Sequence, residues 1–168
     1  MNIEISSEKS GDEARIHQVT EHAFLNAPHT DHTEQFIVDA LRRAGALTIS
    51  QVAIADREII GHVAISPVTL SDGATGWFGL GPISVLPEFQ GLGIGSKLMR
   101  SSLDALEEVG ASGCVVLGDP AYYGRFGFEV VDGLVFPGVP AEYFQALSFS
   151  GEFPQGEVLY HEAFSAQG

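Results

Sequence analysis

The spacing of apolar and polar residues along the chain predicts alternating strands and helices. Ile3 and Ile5 alternate with polar neighbours, which indicates a short first strand. Residues 12–24 and 33–44 carry apolar side chains at helical spacing, and a glycine follows the second of these segments. Residues 26–32 are mostly polar and include a proline. The first quarter of the chain is therefore predicted to be a strand followed by two helices with a loop between them.

The middle of the chain has long apolar runs separated by turns. Residues 49–55 and 59–68 flank a three-residue polar segment, which is a hairpin signal, and residues 77–86 form a third run. A helical pattern follows over residues 96–109. Residues 113–117 are almost all apolar, as expected for a strand covered on both faces. This order of strand, glycine-rich turn, helix and strand predicts a βαβ crossover.

The last third of the chain is predicted to contain one short helix and two strands. The helix begins at Pro120 and ends near Phe126, one strand begins at residues 128–131, and the other covers 158–164. The predicted order is β-α-α-β-β-β-α-β-α-β-β. No internal repeat or linker interrupts the sequence, so residues 1–168 are expected to form a single domain of the α/β class, of α+β type.

Composition narrows the possible partners. The chain has 168 residues and 45% apolar residues, enough for one domain with a core. Its longest apolar runs are shorter than the roughly 20 residues that a membrane span needs, and its first residues do not resemble a signal peptide. A formal net charge of −14 disfavours nucleic acid and anionic membranes as partners. We therefore expect a cytoplasmic protein that binds neither.

Cys114 is not expected to act as a nucleophile, and a group of polar side chains in one loop is not expected to bind a metal. Cys114 is the only cysteine and lies in an apolar run, which predicts a buried side chain and no disulfide. His29, Asp31, His32 and Glu34 lie together in the loop between the first two helices. Their spacing matches no standard zinc pattern, so we expect a solvated loop and no metal.

A glycine-rich segment between a predicted strand and a predicted helix is the most informative part of the sequence. The backbone N–H groups of such a turn are unpaired and the helix end is partly positive, so the turn favours an anion. Only eight residues of the chain are Lys or Arg, and three of them, Lys97, Arg100 and Arg125, follow soon after. They fit a phosphorylated ligand and ordinary surface charge equally well. The segment contains Gln90, Gly91, Leu92, Gly93, Ile94, Gly95 and Ser96.

Three classes of protein place glycines before a helix in this way. A dinucleotide-binding fold has Gly-x-Gly-x-x-Gly after its first strand, whereas these glycines follow the fourth. A P-loop has Gly-x-x-x-x-Gly-Lys-Ser/Thr, whereas here the serine precedes the lysine. The third class has Gln-x-x-Gly-x-Gly after Val-x-Pro, which Val85, Pro87 and Gln90 begin here.

Residues 85–96 in this way resemble the GNAT superfamily of acyl-CoA N-acyltransferases. A second match, Tyr-Gly-Arg-Phe-Gly-Phe at residues 123–128, is similar to that family's Tyr-x-x-x-Gly-Phe element. The resemblance covers about residues 3–131 and is closest to the YhbS-like subgroup, which has similar segments at residues 140–144 and 160–164. It implies a mixed, mostly antiparallel twisted sheet flanked by helices, with strands four and five splayed apart to admit CoA.

The resemblance also implies an N-acetyltransferase that uses acetyl-CoA as co-substrate and an amine as acceptor. The pyrophosphate would bind N–H groups along the segment from Gln90 to Ser96, and the Ser96 hydroxyl would be an additional donor. The N–H group of Val85 would stabilise the oxyanion formed from the thioester carbonyl. The pantetheine would bind main-chain groups of Ile83, Ser84 and Val85.

Tyr123 is implied to be the general acid that protonates the departing CoA thiolate, because a phenol is protonated at neutral pH. Tyr122 is the competing residue, since a shift of one position on a short helix changes the face. Members of the family often begin this helix several residues earlier with Asn. Here Asp119 and Pro120 begin a shorter helix, so the cofactor contacts around Asp119 are left open.

The general base and the acceptor are left open. Many relatives carry a Glu on the fourth strand that deprotonates the amine, whereas residues 77–85 contain no titratable group. A water chain could carry the proton, or Asp119, Glu34, His29 or His32 could accept it. A CoA-binding sensor without catalysis is the alternative function.

The sequence constrains the size of the acyl group and the oligomeric state only weakly. Ile83, Val85 and Leu117 would bound a small apolar acyl pocket, which favours acetyl over a larger acyl group such as succinyl. The acidic loops favour a cationic amine as acceptor. A monomer and a homodimer are both compatible with the sequence.

Overall fold

The computed structural model describes residues 2–28 and 30–168, which form eight strands and four α-helices. The strands are β1 (Ile3–Ser7), β2 (Ile49–Ala55), β3 (Glu58–Leu70), β4 (Trp77–Val85), β5 (Gly113–Leu117), β6 (Leu134–Val135), β7 (Phe144–Ser148) and β8 (Gly156–Tyr160). The helices are α1 (Glu13–Phe24), α2 (Glu34–Arg43), α3 (Ile94–Glu108) and α4 (Pro120–Tyr123).

The sheet is mixed and mostly antiparallel, with the strand order β1-β2-β3-β4-β5-β7. The β2–β3 hairpin turns at Asp56 and Arg57, which both adopt positive φ, as a tight hairpin turn requires. Strands β4 and β5 are parallel because α3 connects them as a crossover. The far end of β3 leaves β4 and pairs with β8, where Val68 lies opposite Tyr160.

Strands β4 and β5 separate after three residue pairs. Gly79 and Val115 form the last pair, and beyond it β5 continues alone beside β7. In β4, Gly81 and Pro82 together oppose one residue of β3, which is a β-bulge, and proline has no N–H to donate. The second half of β4 consequently has an open edge facing β5. The splayed strands that the resemblance implied are confirmed.

Helices cover both faces of the sheet. Helix α1 packs on β3 and β4, whereas α3 packs on β2 and β3. A Cβ atom on Gly61 would lie 3.2 Å from the Leu98 side chain, so this position of β3 faces α3. Side chains alternate along a strand, and the neighbouring His62 therefore faces the side covered by α1. Ile16 and Leu98 are fully buried on the two sides.

Three sequence predictions were wrong in detail. Helix α3 begins at Ile94 and not at Ser96, because Gly93 already occupies the N-cap position. Residues 128–131 form no strand and make only a single bridge between Glu129 and Ala146. The last strand ends at Tyr160 instead of continuing to residue 164, and a 3₁₀ turn follows it.

Strand β7 was not predicted at all, although it forms one edge of the sheet beside β5. Its five residues lie in a segment rich in Gly, Pro and Phe, without clear alternation. Its pairing with β5 therefore decides its conformation. Within the described ranges, each helix is too short or too polar to cross a bilayer.

Candidate active site

The glycine-rich segment forms the connection between β4 and α3. Gly91 and Gly93 have φ values of +79° and +80°, a conformation that residues with a Cβ rarely adopt. The Gln90 side-chain amide donates to the Val85 carbonyl at 3.0 Å, which fixes the loop to the end of β4. A cavity of about 350 Å³ lies against this loop. Its lining residues are Val85, Phe89, Gln90, Gly91, Gly93, Ile94, Gly95, Ser96, Tyr122 and Arg125.

The N-terminus of α3 is left positive toward this cavity. The first turn, residues 94–97, contains no Asp or Glu, whereas α1 begins with Glu13 and α2 with Glu34. Gly93 is the N-cap, and no described side chain caps the helix there. The first N–H groups of α3 are therefore available to an anion in the cavity.

An arginine and a tyrosine side chain border the same cavity. The Arg125 guanidinium lies 4.6 Å from the centre of the Tyr122 ring. Arg100 stacks on Phe126 at 5.0 Å, outside the lining of this cavity. A Cβ on Gly95 would lie 3.1 Å from the Tyr122 hydroxyl, which places that hydroxyl beside the loop. Of the three basic residues singled out in the sequence, Arg125 lines the cavity and Lys97 is solvent-exposed.

The open edge of β4 directs main-chain groups toward the gap between the splayed strands. The Leu86 N–H donates to Ile60 of β3 at 2.9 Å. Because N–H groups alternate in direction along a strand, the N–H of Val85 points away from β3, toward the open side. Val85 also lines the cavity. It is therefore the β4 residue best placed to donate to a ligand carbonyl.

Tyr123 lies next to the cavity and is not part of its lining. Its ring makes edge contacts with Tyr122 and Phe128, at centroid distances of 5.0 and 6.1 Å. A Cβ on Gly118 would lie only 2.5 Å from this ring, so glycine is needed there. Burial, with a smaller contribution from Tyr122, raises the pKa of the Tyr123 hydroxyl to about 12. Tyr123 therefore carries its proton at neutral pH.

The structure separates the predicted binding residues into two sets. Seven of them line the cavity, namely Val85, Gln90, Gly91, Gly93, Ile94, Gly95 and Ser96. Leu92 is 56% exposed and lies outside the lining. Ile83 packs against the core, and Ser84 is buried at 4% exposure.

The candidate bases that the structure describes lie outside this cavity. The Glu34 carboxylate accepts a hydrogen bond from the Thr30 hydroxyl, and Asp119 caps α4 by accepting from the Ala121 N–H at 2.9 Å. His32 is exposed, and His29 lies outside the described residues. None of the three described candidates is among the cavity-lining residues.

Sequence reasoning missed Tyr160 as a residue near the site. Its ring lies over Gly79, where a Cβ would be 2.9 Å from the ring. Its hydroxyl is buried without a hydrogen-bond partner in the described part of the chain. Burial, followed by Cys114 and Tyr123, raises the pKa of this hydroxyl. A glycine inside a strand was the available signal, since it often marks a close approach by another group.

Comparisons with known proteins agree with this geometry. A sequence model of the acetyltransferase (GNAT) family matches residues 14–128. The N-acetyltransferase YhbS of Escherichia coli is 39% identical over 109 residues, which are 64% of this chain and 65% of YhbS, just under two thirds of its length.

Two solved structures are similar over nearly the whole chain. A GNAT family acetyltransferase from Brucella melitensis, in complex with acetyl-CoA, is 48% identical with a TM-score of 0.87, covering 97% of this chain and 98% of that one. E. coli YhbS in complex with CoA is 31% identical with a TM-score of 0.83, covering 100% and 94%. The chain belongs to the acetyltransferase (GNAT) family.

Proposed function

We propose that this protein transfers an acetyl group from acetyl-CoA to a primary amine. The observation that carries the proposal is the open edge of β4 next to the uncapped N-terminus of α3. A diphosphate at the helix end and an extended amide-bearing chain along the strand fit these two features together. The complexes of the B. melitensis relative with acetyl-CoA and of YhbS with CoA support the choice of donor.

The donor would bind along main-chain groups. The pyrophosphate lies against N–H groups between Gln90 and Ser96, and Arg125 adds positive charge at the border of the cavity. The pantetheine follows β4 from Val85 to Ile83. The outward N–H of Val85 then donates to the thioester carbonyl and stabilises the oxyanion formed during attack.

The chemical step is direct attack by the amine on the thioester, without a covalent enzyme intermediate. Cys114 is fully buried, and burial raises the pKa of its thiol, which makes it a poor nucleophile. Tyr123 donates a proton to the CoA thiolate as the C–S bond breaks. The net charge of −14 favours a cationic amine as acceptor.

Acetyl-CoA turnover measured across a panel of amines tests the proposal. We expect thiol release with at least one cationic amine, and calorimetry should show that acetyl-CoA binds in the absence of acceptor. Tight binding without turnover on any amine would favour a CoA-binding sensor instead. No binding of acetyl-CoA or CoA would contradict the donor site itself.

Replacing Tyr123 with Phe tests the acid. We expect Tyr123→Phe to lower kcat by roughly ten- to a thousandfold, because the thiolate loses its proton donor, while the Kd for acetyl-CoA stays unchanged. Tyr122→Phe is the matched control on the same helix and should keep most of the turnover. The opposite ranking of the two variants would assign the acid role to Tyr122.

A further inference from the structure

Buried polar atoms on one face of the sheet lack hydrogen-bond partners. In the described residues these include Nδ1 of His62 and the hydroxyl oxygens of Ser66 and Ser84. His62 on β3 lies directly opposite Ser84 on β4, so their side chains share the face covered by α1. Cβ atoms of directly opposed residues lie roughly 4.5–5.5 Å apart, so a change of the Ser84 rotamer would bring its hydroxyl to the His62 ring, with which it makes no hydrogen bond in this structure.

A chain of hydrogen bonds continues from the other ring nitrogen of His62. Nε2 lies 2.8 Å from the Ser50 hydroxyl, which in turn donates to the Glu8 carboxylate. Glu8 also accepts from Arg42 at 2.7 Å. Glu8, Ser50 and Arg42 border an open cavity of about 370 Å³ beside the end of β1. These hydrogen bonds therefore lead from His62, which lies opposite the end of β4, through the core to solvent.

We propose that Ser84, His62, Ser50 and Glu8 form a proton relay that carries the ammonium proton of the acceptor from β4 to solvent. This inference rests on the proposed acetyl transfer. It supplies a route for the proton on a strand that has no titratable residue between Trp77 and Val85. Ser84 precedes Val85 in β4, and Val85 is the residue whose N–H is proposed to bind the thioester carbonyl.

The proton moves by exchange along the chain. Nδ1 of His62 takes up a proton through the Ser84 hydroxyl while Nε2 releases one to Ser50, and Ser50 passes its own proton to Glu8. Protonated Glu8 then releases the proton to water in the open cavity. Burial, with a smaller contribution from Arg42, lowers the pKa of His62 to about 3, so the ring stays neutral and uptake of a proton at Nδ1 must accompany release from Nε2.

The reaction balances with one proton released. The amine nitrogen loses one proton to the relay, its lone pair forms the C–N bond, and the C–S bond breaks. Tyr123 protonates the thiolate and is restored by a second N–H proton of the nitrogen. An ammonium and acetyl-CoA thus yield an amide, CoA thiol and one proton in solvent.

The surrounding charges favour this direction of transfer. Glu8 and Arg42 lie at the outer end of the chain. On the covering helices, Asp39 contacts Arg42 at 3.8 Å and binds His17 at 2.7 Å. A purely structural histidine would use both ring nitrogens, because an unpaired buried nitrogen costs stability. Nδ1 of His62 is instead left without a partner on the face of the sheet that His62 shares with Ser84.

The pH dependence of kcat for Ser50→Ala tests the relay, using an acceptor from the amine panel. At pH values below the ammonium pKa of that acceptor, we expect the kcat of Ser50→Ala to be lower than that of the wild type by about tenfold or more, in the range typical of lost proton transfer. Above it the amine arrives neutral, and the variant should approach the wild type. The Kd for acetyl-CoA should not change at any pH. Ser66→Ala removes an unpartnered hydroxyl that lies on the same face of the sheet but is not part of the relay. This variant should keep the pH dependence of the wild type.

Two outcomes would overturn the relay. One is a Ser50→Ala profile equal to that of the wild type, and the other is a loss by the same factor at every pH, which indicates only a structural defect. If Ser50→Ala fails to fold, Glu8→Gln at the partly exposed end of the chain provides the same test. A wild-type protein that turns over no amine would contradict the proposed acetyl transfer itself, and the relay with it.

Discussion

The position of Tyr123, the proposed general acid, depends on a single glycine, Gly118. Gly118 lies where β5 meets α4, and its carbonyl accepts a hydrogen bond from the buried Gln145 amide at 2.9 Å. Its φ of +152° and the Tyr123 ring on its open side both require glycine. Tyr123 is therefore positioned by a backbone whose shape depends on one residue without a side chain.

Replacing Gly118 with alanine should displace Tyr123. The new methyl group would lie 2.5 Å from the ring, so either the ring or the strand end must move. We expect a loss of about 1–3 kcal/mol in the free energy of unfolding from backbone strain, together with a lower kcat. Denaturant unfolding and turnover measure the two effects. Gly124→Ala, where nothing lies within 4 Å of the new methyl, should be close to neutral in both assays.

The buried His62 should make the protein sensitive to acid. The folded state keeps this ring neutral down to about pH 3, whereas the unfolded chain binds a proton near pH 6.5. Between these values the unfolded state holds more protons, so the free energy of unfolding falls as the pH decreases. From pH 7.5 to pH 5 the loss is about 2 kcal/mol.

His62→Gln isolates this contribution. Urea unfolding at both pH values should show that the variant loses correspondingly less stability between them than the wild type. His22→Gln, at an exposed position of α1, should lose as much as the wild type. Equal losses in all three proteins would contradict the assignment to His62.

At the scale of elements, helix stability and phosphate binding make opposite demands on the charge of the first turn of α3. An acidic residue in the first turn stabilises a helix, but here it would lie beside a bound phosphate. We expect Ser96→Asp to raise the free energy of unfolding by about 0.3–1 kcal/mol while weakening acetyl-CoA binding by roughly tenfold or more. Ser101→Asp adds the same charge further along α3 and should leave the affinity unchanged. Calorimetry and thermal unfolding on the same samples separate the two effects.

The elements differ in how far the sequence alone could predict them. The first strand was identified from its alternating pattern and the next four from their apolar runs, and β2 and β5 have the predicted bounds. Strand β7 could not be predicted, because pairing with β5 and not its own pattern makes it extended. Likewise, seven loop and strand residues of the cavity follow from local motifs, whereas Tyr160 reaches Gly79 only through the tertiary fold.

At the scale of the whole molecule, the net charge of −14 acts on an anionic donor. At 10 mM salt the Debye length is about 30 Å. This exceeds the radius of gyration of about 15 Å expected for a chain of this length. The net charge of the entire protein therefore repels CoA at this salt concentration. We expect the association rate of acetyl-CoA to rise several-fold between 10 and 150 mM salt. Stopped-flow binding measures it, with uncharged acetyl-pantetheine as the salt-independent control. A rate that falls with salt would show that Arg125 and the α3 terminus dominate the approach.

The pairing of β3 with β8 has a consequence for how the chain folds. The strands and loop of the donor site lie between residues 49 and 117, where neighbouring elements are close in sequence. By contrast, Val68 meets Tyr160 only after a loop of more than half the chain has closed, and longer loops cost more entropy. Synthesis also delivers the later strand last. The slowest part of folding should therefore be the docking of the C-terminal strands onto a donor half that has already formed.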